Sequence, residues 1–260
     1  MRNEYFIEEK GVLIIMSQLR DLFMKVMNTY LEAKRDPFSS HPIGTLLRDD
    51  LPNQIQKLSF LEEERYSVKG SVGMGNWAFV PWLAIMDKRV TTTTQKGYYI
   101  VYLFSEDMKR LYLTFAQGVT ESTKEQMKKV KHNIRSVIQV APKVRKDDDI
   151  QIGDSQKAKQ YEFSTALYIK YELDDFPSEQ ELINDLEKMI KYYQIYYQYD
   201  SNSNQEVTAV KKNQILFAST KELIDHIHAY ISAKGFFYSK EDVTNLYLSL
   251  KTKPFVILSG

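Results

Sequence analysis

The segment KGYYIVYLFSEDMKRLYLTFAQG, residues 96–118, decides which fold we expect. Residues 98–104 and 111–115 are runs of aromatic and aliphatic side chains, and the polar residues 105–109 separate them. Two such runs around a short polar segment are typical of a β-hairpin. Because successive side chains of a strand point to opposite faces, Tyr98 and Tyr99 cannot both line the same pocket.

Strands and helices are predicted on both sides of this hairpin, which indicates an α+β fold. The expected architecture is a mixed, curved β-sheet with helices packed on it. The strands are expected within residues 67–87, 97–115 and 160–173. Apolar residues recur at spacings of three and four in three further segments, which predicts amphipathic helices. These helices are expected over residues 17–34, 122–140 and 179–199.

The chain divides into four predicted parts. An N-terminal extension, residues 1–16, precedes the main domain, residues 17–200, and a linker rich in Ser and Asn follows at residues 201–208. Residues 209–260 are expected to form a helical segment that ends in the apolar strand FVILSG. A strand that ends in glycine is how a phosphate-binding loop begins. We therefore expect this end to lead into a nucleotide-binding motor whose lysine lies beyond Gly260.

The composition argues against several classes of function. The net charge of the 260 residues is +1, so nucleic-acid binding requires a local basic patch. The chain has no cysteine and only four scattered histidines, so we expect neither disulfides nor a metal site. No apolar run is long enough to span a membrane, and no signal peptide is visible, so a cytoplasmic location is expected.

Catalytic constellations are also missing from the sequence. The acidic runs at residues 62–64 and 147–149 are typical of a solvated surface, and they do not provide the two different environments of an acid–base pair. No nucleophile occurs together with a recognisable base and orienting partner. We therefore expect that these residues are not an enzyme and hold no cofactor.

A longer stretch around the hairpin resembles the N-terminal specificity domain of McrB-like restriction proteins. The family pattern combines a glycine-rich turn, G-N-W-A-x-V-P-W-[IL]-A-I, a Thr or Ser segment, Q-K-G-Y-Y-[IV]-V-Y-L-F and a final Q-G pair. The resemblance covers residues 17–199 and is most specific in its central third. The matching positions are Gly75, Asn76, Trp77, Ala78, Val80, Pro81, Trp82, Ala84, Ile85, Gln95, Lys96, Gly97, Tyr98, Tyr99, Val101, Tyr102, Leu103, Phe104, Gln117 and Gly118.

The resemblance implies a modular protein that restricts foreign DNA. Its N-terminal domain would recognise a modified base, expected to be a modified cytosine, in double-stranded DNA. An AAA+ motor that hydrolyses GTP and a separate nuclease subunit would act with it, and GTP and Mg²⁺ are expected only in that motor. Small sheets with an aromatic pocket also occur in the PUA, EVE and YTH readers of modified bases, which is an analogy of fold alone.

The aromatic residues of the resembling stretch are candidates for a base pocket. A modified base is read most readily when it is rotated out of the duplex, stacked on aromatic rings and hydrogen-bonded at its Watson–Crick edge. The glycines of residues 70–76 would let the backbone and the Trp77 indole close over such a base. The candidates are Asn76, Trp77, Trp82, Tyr98, Tyr99 and Tyr102. The alternative is that Trp77 is a packed lid and that the tyrosines belong to the core of the sheet.

Two groups of polar residues are candidates for contacts to DNA phosphates. Hydroxyls and cations around the threonine run at residues 91–94 suit a phosphate backbone, and the predicted helix at residues 122–140 has a basic face. The candidates are Lys88, Arg89, Thr92, Thr93, Lys96, Lys124, Lys128, Lys129, Lys131 and Arg135. A strand end and a solvated helix face would have the same composition.

A second hypothesis is a protein-interaction module. The tyrosine-rich sheet and the segment YYQIYYQYD, residues 192–200, could dock a nuclease subunit or a second copy of the chain without base readout. Binding of DNA through basic residues weakens steeply with salt, whereas docking of an apolar surface does not. A sensor of RNA or of a nucleotide would use the same pocket and stays open as a third alternative.

Overall fold

A computed structural model describes residues 6–9, 12–15, 18–212 and 220–252 of the chain. The chain divides into two compact units, Met1–Asn202 and Ser203–Gly260. The predicted strand FVILSG lies outside the described residues. Within the described parts, no helix combines the length and the apolar character that crossing a membrane requires.

The first unit is built on a five-stranded sheet, which confirms the α+β fold. The strands pair in sequence order from β3 to β7, and the predicted hairpin forms β5 and β6. All four neighbouring pairs are antiparallel, rather than mixed as expected from the sequence. Strands β1 and β2 form a separate antiparallel pair. The strands are β1 (Phe6–Glu9), β2 (Val12–Ile15), β3 (Tyr66–Ser71), β4 (Trp82–Asp87), β5 (Tyr98–Phe104), β6 (Arg110–Gln117) and β7 (Leu167–Glu172).

The helices include those that the apolar spacing predicts. In the described residues they are α1 (Leu19–Ala33), α2 (Pro42–Thr45), α3 (Leu51–Gln56), α4 (Lys124–Val137), α5 (Gln156–Ser164), α6 (Glu179–Lys212), α7 (Thr220–Ala233) and α8 (Lys240–Thr252). A π-helical turn, Leu46–Asp50, joins α2 to α3, and a 3-10 turn, Leu173–Asp175, follows β7. Helix α6 continues past its predicted end because residues 201–208 contain neither Gly nor Pro to stop it.

Helices α1 and α6 cover one face of the sheet with aromatic contacts. The ring of Phe23 in α1 lies 4.8 Å from that of Tyr102. The rings of Tyr193 and Tyr196 in α6 lie 5.8 and 4.9 Å from that of Tyr98. Paired rings in such tilted and edge-on geometries stabilise a core beyond the area that they bury. The tyrosines of this face therefore belong to the core of the fold.

On this face, a buried carboxylate at the end of β4 helps to join the strands to α6. The side chain of Asp87 is 1% exposed and binds Arg65 at 2.9 Å and Arg89 at 2.7 Å. The backbone N–H of Asp87 donates to the Tyr193 hydroxyl at 3.1 Å, and that hydroxyl donates to the carbonyl of Tyr98 at 2.9 Å. Strand β4, strand β5 and helix α6 thus meet in one hydrogen-bonded network.

Helix α5 lies on the opposite face and corrects one prediction. Residues 160–173 were expected to form a strand, but only Leu167–Glu172 do so, and Gln156–Ser164 are helical. The reason is a local cap, because the Ser155 hydroxyl accepts the N–H of Ala158 at 3.2 Å. The segment thereby contributes both a helix and an edge strand.

The second unit contains α7 and α8, which pack against each other. Gly235 follows α7 with a φ of 86°, a conformation that favours glycine after a helix. Ser239 and Asp242 cap α8 reciprocally: the Asp242 carboxylate accepts the Ser239 N–H at 3.0 Å, and the Ser239 hydroxyl accepts the Asp242 N–H at 3.1 Å.

Candidate functional site

A cavity lies on the sheet face opposite α1 and α6, between the sheet and α5. Its volume is about 160 Å³. It is lined by Trp82, Thr94, Tyr99, Val101, Leu103, Ala116, Gln117, Val119, Thr120, Lys157, Tyr161 and Ser164. Three of the lining residues are aromatic, and the exposed Thr120 and Lys157 mark its rim.

Strand alternation builds the floor of this cavity. Tyr99, Val101 and Leu103 alternate with the core tyrosines of β5 and so share the face towards α5. Trp82 of β4 is the register partner of Leu103, and Ala116 of β6 is the partner of Tyr99. Three neighbouring strands therefore present one aromatic and aliphatic surface, which we call the cavity floor.

Helix α5 supplies the facing wall. Lys157 and Tyr161 are four residues apart, so they lie on the same side of the helix. The Lys157 ammonium lies 5.3 Å from the centroid of the Tyr161 ring, within the range of a cation–π contact. The wall thus combines an aromatic ring with a positive charge at the rim.

A hydrogen bond fixes one aromatic ring of the cavity, because the Tyr99 hydroxyl donates to the carbonyl of Thr94 at 2.9 Å. Burial raises the pKa of Tyr161 to about 12, although the nearby Trp82 indole partly opposes that shift. Burial also raises the pKa of Tyr99. Both phenols therefore stay neutral near pH 7 and offer uncharged surfaces for stacking.

The predicted base-pocket tyrosines separate according to the face of β5 on which they lie. Trp82 and Tyr99 line the cavity. Tyr102 is fully buried against α1, and Tyr98 packs on α6 and donates from its hydroxyl to Asp200 at 3.0 Å. Neither ring lines this cavity, although Tyr98 borders a second one beside Lys96 and Gln126.

Trp77 lies in an aromatic cluster at the C-terminal end of α1. Its ring centroid is 5.5 Å from that of Tyr30 and 5.3 Å from those of Phe38 and His41, all in edge-on geometry. The indole N–H donates to the carbonyl of Asp36 at 3.1 Å. Trp77 thus packs beside α1 and is half-buried, and it is not among the residues that line the cavity.

The glycine turn, residues 72–78, joins β3 to the strand that carries Trp82. Gly73 and Gly75 have φ angles of 111° and 76°, which side chains other than glycine rarely adopt. Between them the apolar side chain of Met74 is 97% exposed. Asn76 is also exposed. Trp77 packs against α1 and holds one end of this turn in place. The exposed side chain of Met74 therefore projects from a turn that is fixed at that end.

The candidate phosphate contacts divide into paired and exposed residues. Lys131 and Arg135 bind Asp148 at 2.6 and 2.7 Å, and Arg89 binds the buried Asp87. Lys131 and Arg135 thus tie the acidic run at residues 147–149 to α4, and Arg89 supports the buried Asp87. Thr93 is half-buried. The other candidates are exposed, although Lys96 pairs with Glu121 at 3.7 Å and Lys88 donates to the carbonyl of Glu63 at 2.8 Å. These exposed candidates are Lys88, Thr92, Lys96, Lys124, Lys128 and Lys129.

Sequence reasoning misses several residues of the cavity. Tyr161 and Lys157 lie in or next to the segment expected to be a strand, and Leu103 is named only as a matching position of the family pattern. Ser155 is the single sequence signal that points to a helix here, since serine commonly caps a helix.

Comparison with known families identifies the family of the chain. A family model described as the MrcB-like N-terminal domain matches residues 25–198. The chain belongs to this family. Every residue that lines the cavity falls within the part that matches the MrcB-like N-terminal domain. No curated protein matches the chain. Membership of the MrcB-like family favours a DNA-binding module of a restriction system, and the matched part is its N-terminal domain.

Proposed function

We propose that this MrcB-like domain binds double-stranded DNA and reads a modified base that is rotated out of the duplex into the cavity. The observation that carries the proposal is the cavity itself, with Trp82, Tyr99 and Tyr161 around an apolar floor. Flipped bases are held between aromatic and apolar side chains in this way. The domain would serve the restriction of foreign DNA, with the motor and the nuclease subunit supplied outside it.

The size of the cavity favours a pyrimidine. A cavity of roughly 150 Å³ in another protein accepts a benzene ring, and this one measures about 160 Å³. A single six-membered ring therefore suits it better than a purine. Val101, Leu103 and Ala116 offer apolar contacts to a substituent on that ring. A methyl group in such surroundings contributes about 1–3 kcal/mol of discrimination, so we propose a modified cytosine.

Exposed cations near the cavity would hold the DNA backbone. Lys157 stands at the rim, and Lys96 lies two residues from the lining residue Thr94. Lys96 is 65% exposed and pairs loosely with the exposed Glu121 at 3.7 Å, a contact that a phosphate could replace. Lys69 is exposed on β3 and donates to the carbonyl of Thr92 at 3.3 Å. Contacts to phosphates position a protein on DNA without reading the sequence. They make the affinity strongly dependent on salt.

The structure supports the interaction-module alternative less than the base pocket. Its tyrosine-rich segment lies in α6, where Tyr192, Tyr193 and Tyr196 are buried. The ring of Tyr197 stacks under the Arg89 guanidinium at 4.1 Å. Most of these tyrosines are used inside the domain, and the exposed apolar surface of the segment is limited to Ile195 and Tyr199.

The proposal is tested by fluorescence anisotropy with short duplexes that differ at one position. Cytosine, 5-methylcytosine, 5-hydroxymethylcytosine, N4-methylcytosine and N6-methyladenine are compared at several salt concentrations. We expect a preference for one modified cytosine, superimposed on an affinity that falls steeply with salt for every duplex. Equal affinity for all five duplexes would contradict base reading, and absence of binding at low salt would contradict DNA binding.

Met74 is expected to fill the space that a flipped base leaves. Apolar side chains, methionine among them, are inserted between base steps by proteins that unstack DNA. Met74→Ala should therefore weaken binding to the preferred modified duplex by roughly tenfold, within the few kcal/mol that unstacking involves, whereas Met74→Leu should keep most of the affinity. Placing the modified base opposite a mismatch should restore the affinity of the Met74→Ala variant, because a mismatched base is easier to extrude. An unchanged affinity of Met74→Ala for the paired duplex would exclude this role.

A further inference from the structure

The position of α5 depends on contacts at its ends more than on its buried surface. The helix has nine residues and buries only Ala158 and Ser164 fully. Helices of this length are marginal in water without tertiary support. Tyr161, the only aromatic residue that α5 contributes to the cavity, therefore lies where the end contacts of the helix place it.

Glu106 of the β5–β6 turn joins the sheet to the N-terminus of α5, beside Glu162 of α5 itself, which accepts the N–H of Ile152 at 2.8 Å. The Glu106 carboxylate accepts the backbone N–H of Asp154 at 2.8 Å and that of Ser155 at 3.2 Å. The backbone N–H of Glu106 donates to the carbonyl of Ile152 at 2.8 Å. Glu106 thus holds the chain on both sides of Gly153, directly before the first turn of α5.

The chemistry of this contact suits a carboxylate. The first N–H groups of a helix lack partners within the helix, and the helix dipole favours negative charge there. Burial alone would raise the pKa of Glu106, but hydrogen bonds from Ser155 and from the backbone N–H of Asp154 outweigh it, so the pKa lies below its usual range. A side chain at position 153 would collide with the Glu106 carboxyl group, and the glycine found there permits the close approach.

We infer that Glu106 is a positioning residue for the cavity: it joins the central hairpin of the sheet to α5 and so sets the distance between Tyr161 and the cavity floor. The inference rests on the proposed function, because it gives Glu106 an effect on base reading without any contact to DNA. Glu106 is not one of the candidate phosphate contacts, which are all cations or threonines.

The neighbouring carboxylate offers a matched control. Asp107 lies in the same turn, but it accepts from the Ser105 hydroxyl at 2.6 Å and binds Arg110 at 3.0 Å. These contacts stay within the hairpin and do not reach α5. Asp107→Asn therefore removes the same charge as Glu106→Gln, including any general effect of that charge on affinity for DNA, and leaves the α5 contact in place.

The experiment compares wild type, Glu106→Gln, Glu106→Ala and Asp107→Asn in two measurements. The first is amide hydrogen exchange of peptides covering residues 151–164 and of peptides from β5 and β6. The second is the ratio of affinities for the preferred modified duplex and its unmodified counterpart. We expect faster exchange in residues 151–164 alone and a loss of preference of about threefold to tenfold for Glu106→Ala. Glu106→Gln should be intermediate, because its amide oxygen still accepts one hydrogen bond, and Asp107→Asn should match wild type.

The two measurements separate the inference from the proposed function. Unchanged exchange in residues 151–164 of Glu106→Ala would overturn the positioning role whatever the DNA results are. Faster exchange with an unchanged preference would overturn the link between α5 and base reading. If wild type itself shows no preference for any modified duplex, the proposed function fails and the role in base reading fails with it. Gly153→Ala, which should push the carboxylate aside without removing its charge, is expected to reproduce the Glu106→Ala pattern.

Discussion

Trp82→Ala is expected to abolish the preference for a modified duplex while leaving salt-dependent binding of unmodified DNA intact. Trp82 is the largest ring of the cavity, and its partner across the cavity is Tyr161. Stacking of a base on an aromatic side chain contributes about 1–3 kcal/mol, which corresponds to a loss of roughly 5- to 150-fold. The upper part of that range is expected, because the substitution removes the largest stacking surface of the cavity.

Conservative and matched variants show which property of Trp82 matters. Trp82→Phe keeps a ring and loses the N–H, so it should retain most of the preference if stacking dominates.

Trp77→Phe serves as the control, because that side chain packs on α1 away from the cavity lining. With only two tryptophans in the chain, Trp77→Phe also leaves Trp82 as the sole indole fluorophore. Its emission should then change on binding of the modified duplex and not of the unmodified one. A Trp82→Ala protein that folds and keeps its preference would refute the pocket.

The sequence predicts the framework because its signals are local. The hairpin of β5 and β6 follows from two apolar runs around a polar turn, and α1 follows from its apolar spacing. Alternation also shows that Tyr98 and Tyr99 lie on different faces. It does not show which face is covered, since that depends on α6, almost one hundred residues further along the chain.

The parts that sequence reasoning misses depend on distant contacts. Tyr161 reaches the cavity because the Ser155 cap and the Glu106 contact turn an apparent strand into a helix. In the sequence, Lys131 and Arg135 belong to a predicted basic helix face. In the folded protein both of them pair with Asp148. Apart from Ser155, whose hydroxyl can cap a helix, neither event has a signature in the local pattern. The resemblance to McrB-like proteins pointed to residues that include Trp82 and Tyr99 of the cavity, but not to the face of the sheet on which the cavity lies.

Asp87→Ala is expected to cause the largest loss of stability among the charged residues discussed. The carboxylate is almost fully buried, and it pairs with both Arg65 and Arg89. Removing one partner of a buried ion pair costs about 3–5 kcal/mol, because the remaining charge is left without compensation. Arg65 and Arg89 are partly exposed and can regain water, so we expect a value near the lower end, about 3 kcal/mol.

The pKa of Asp87 also predicts how the free energy of unfolding changes with pH. Hydrogen bonds from Arg89 and Arg65 outweigh the opposing effect of burial and hold the pKa of Asp87 below its ordinary value in the folded protein. The unfolded chain therefore takes up the proton first as the pH falls, so the stability that Asp87 provides is complete above about pH 4 and is lost as the pH drops through its lower folded pKa.

Urea unfolding of wild type and Asp87→Asn at pH 7, 5 and 3 measures this dependence directly. The difference between their free energies of unfolding should be the same at pH 7 and 5 and smaller at pH 3, because the other carboxylates titrate alike in both proteins. A difference that stays constant down to pH 3 would show that the charge of Asp87 does not stabilise the fold.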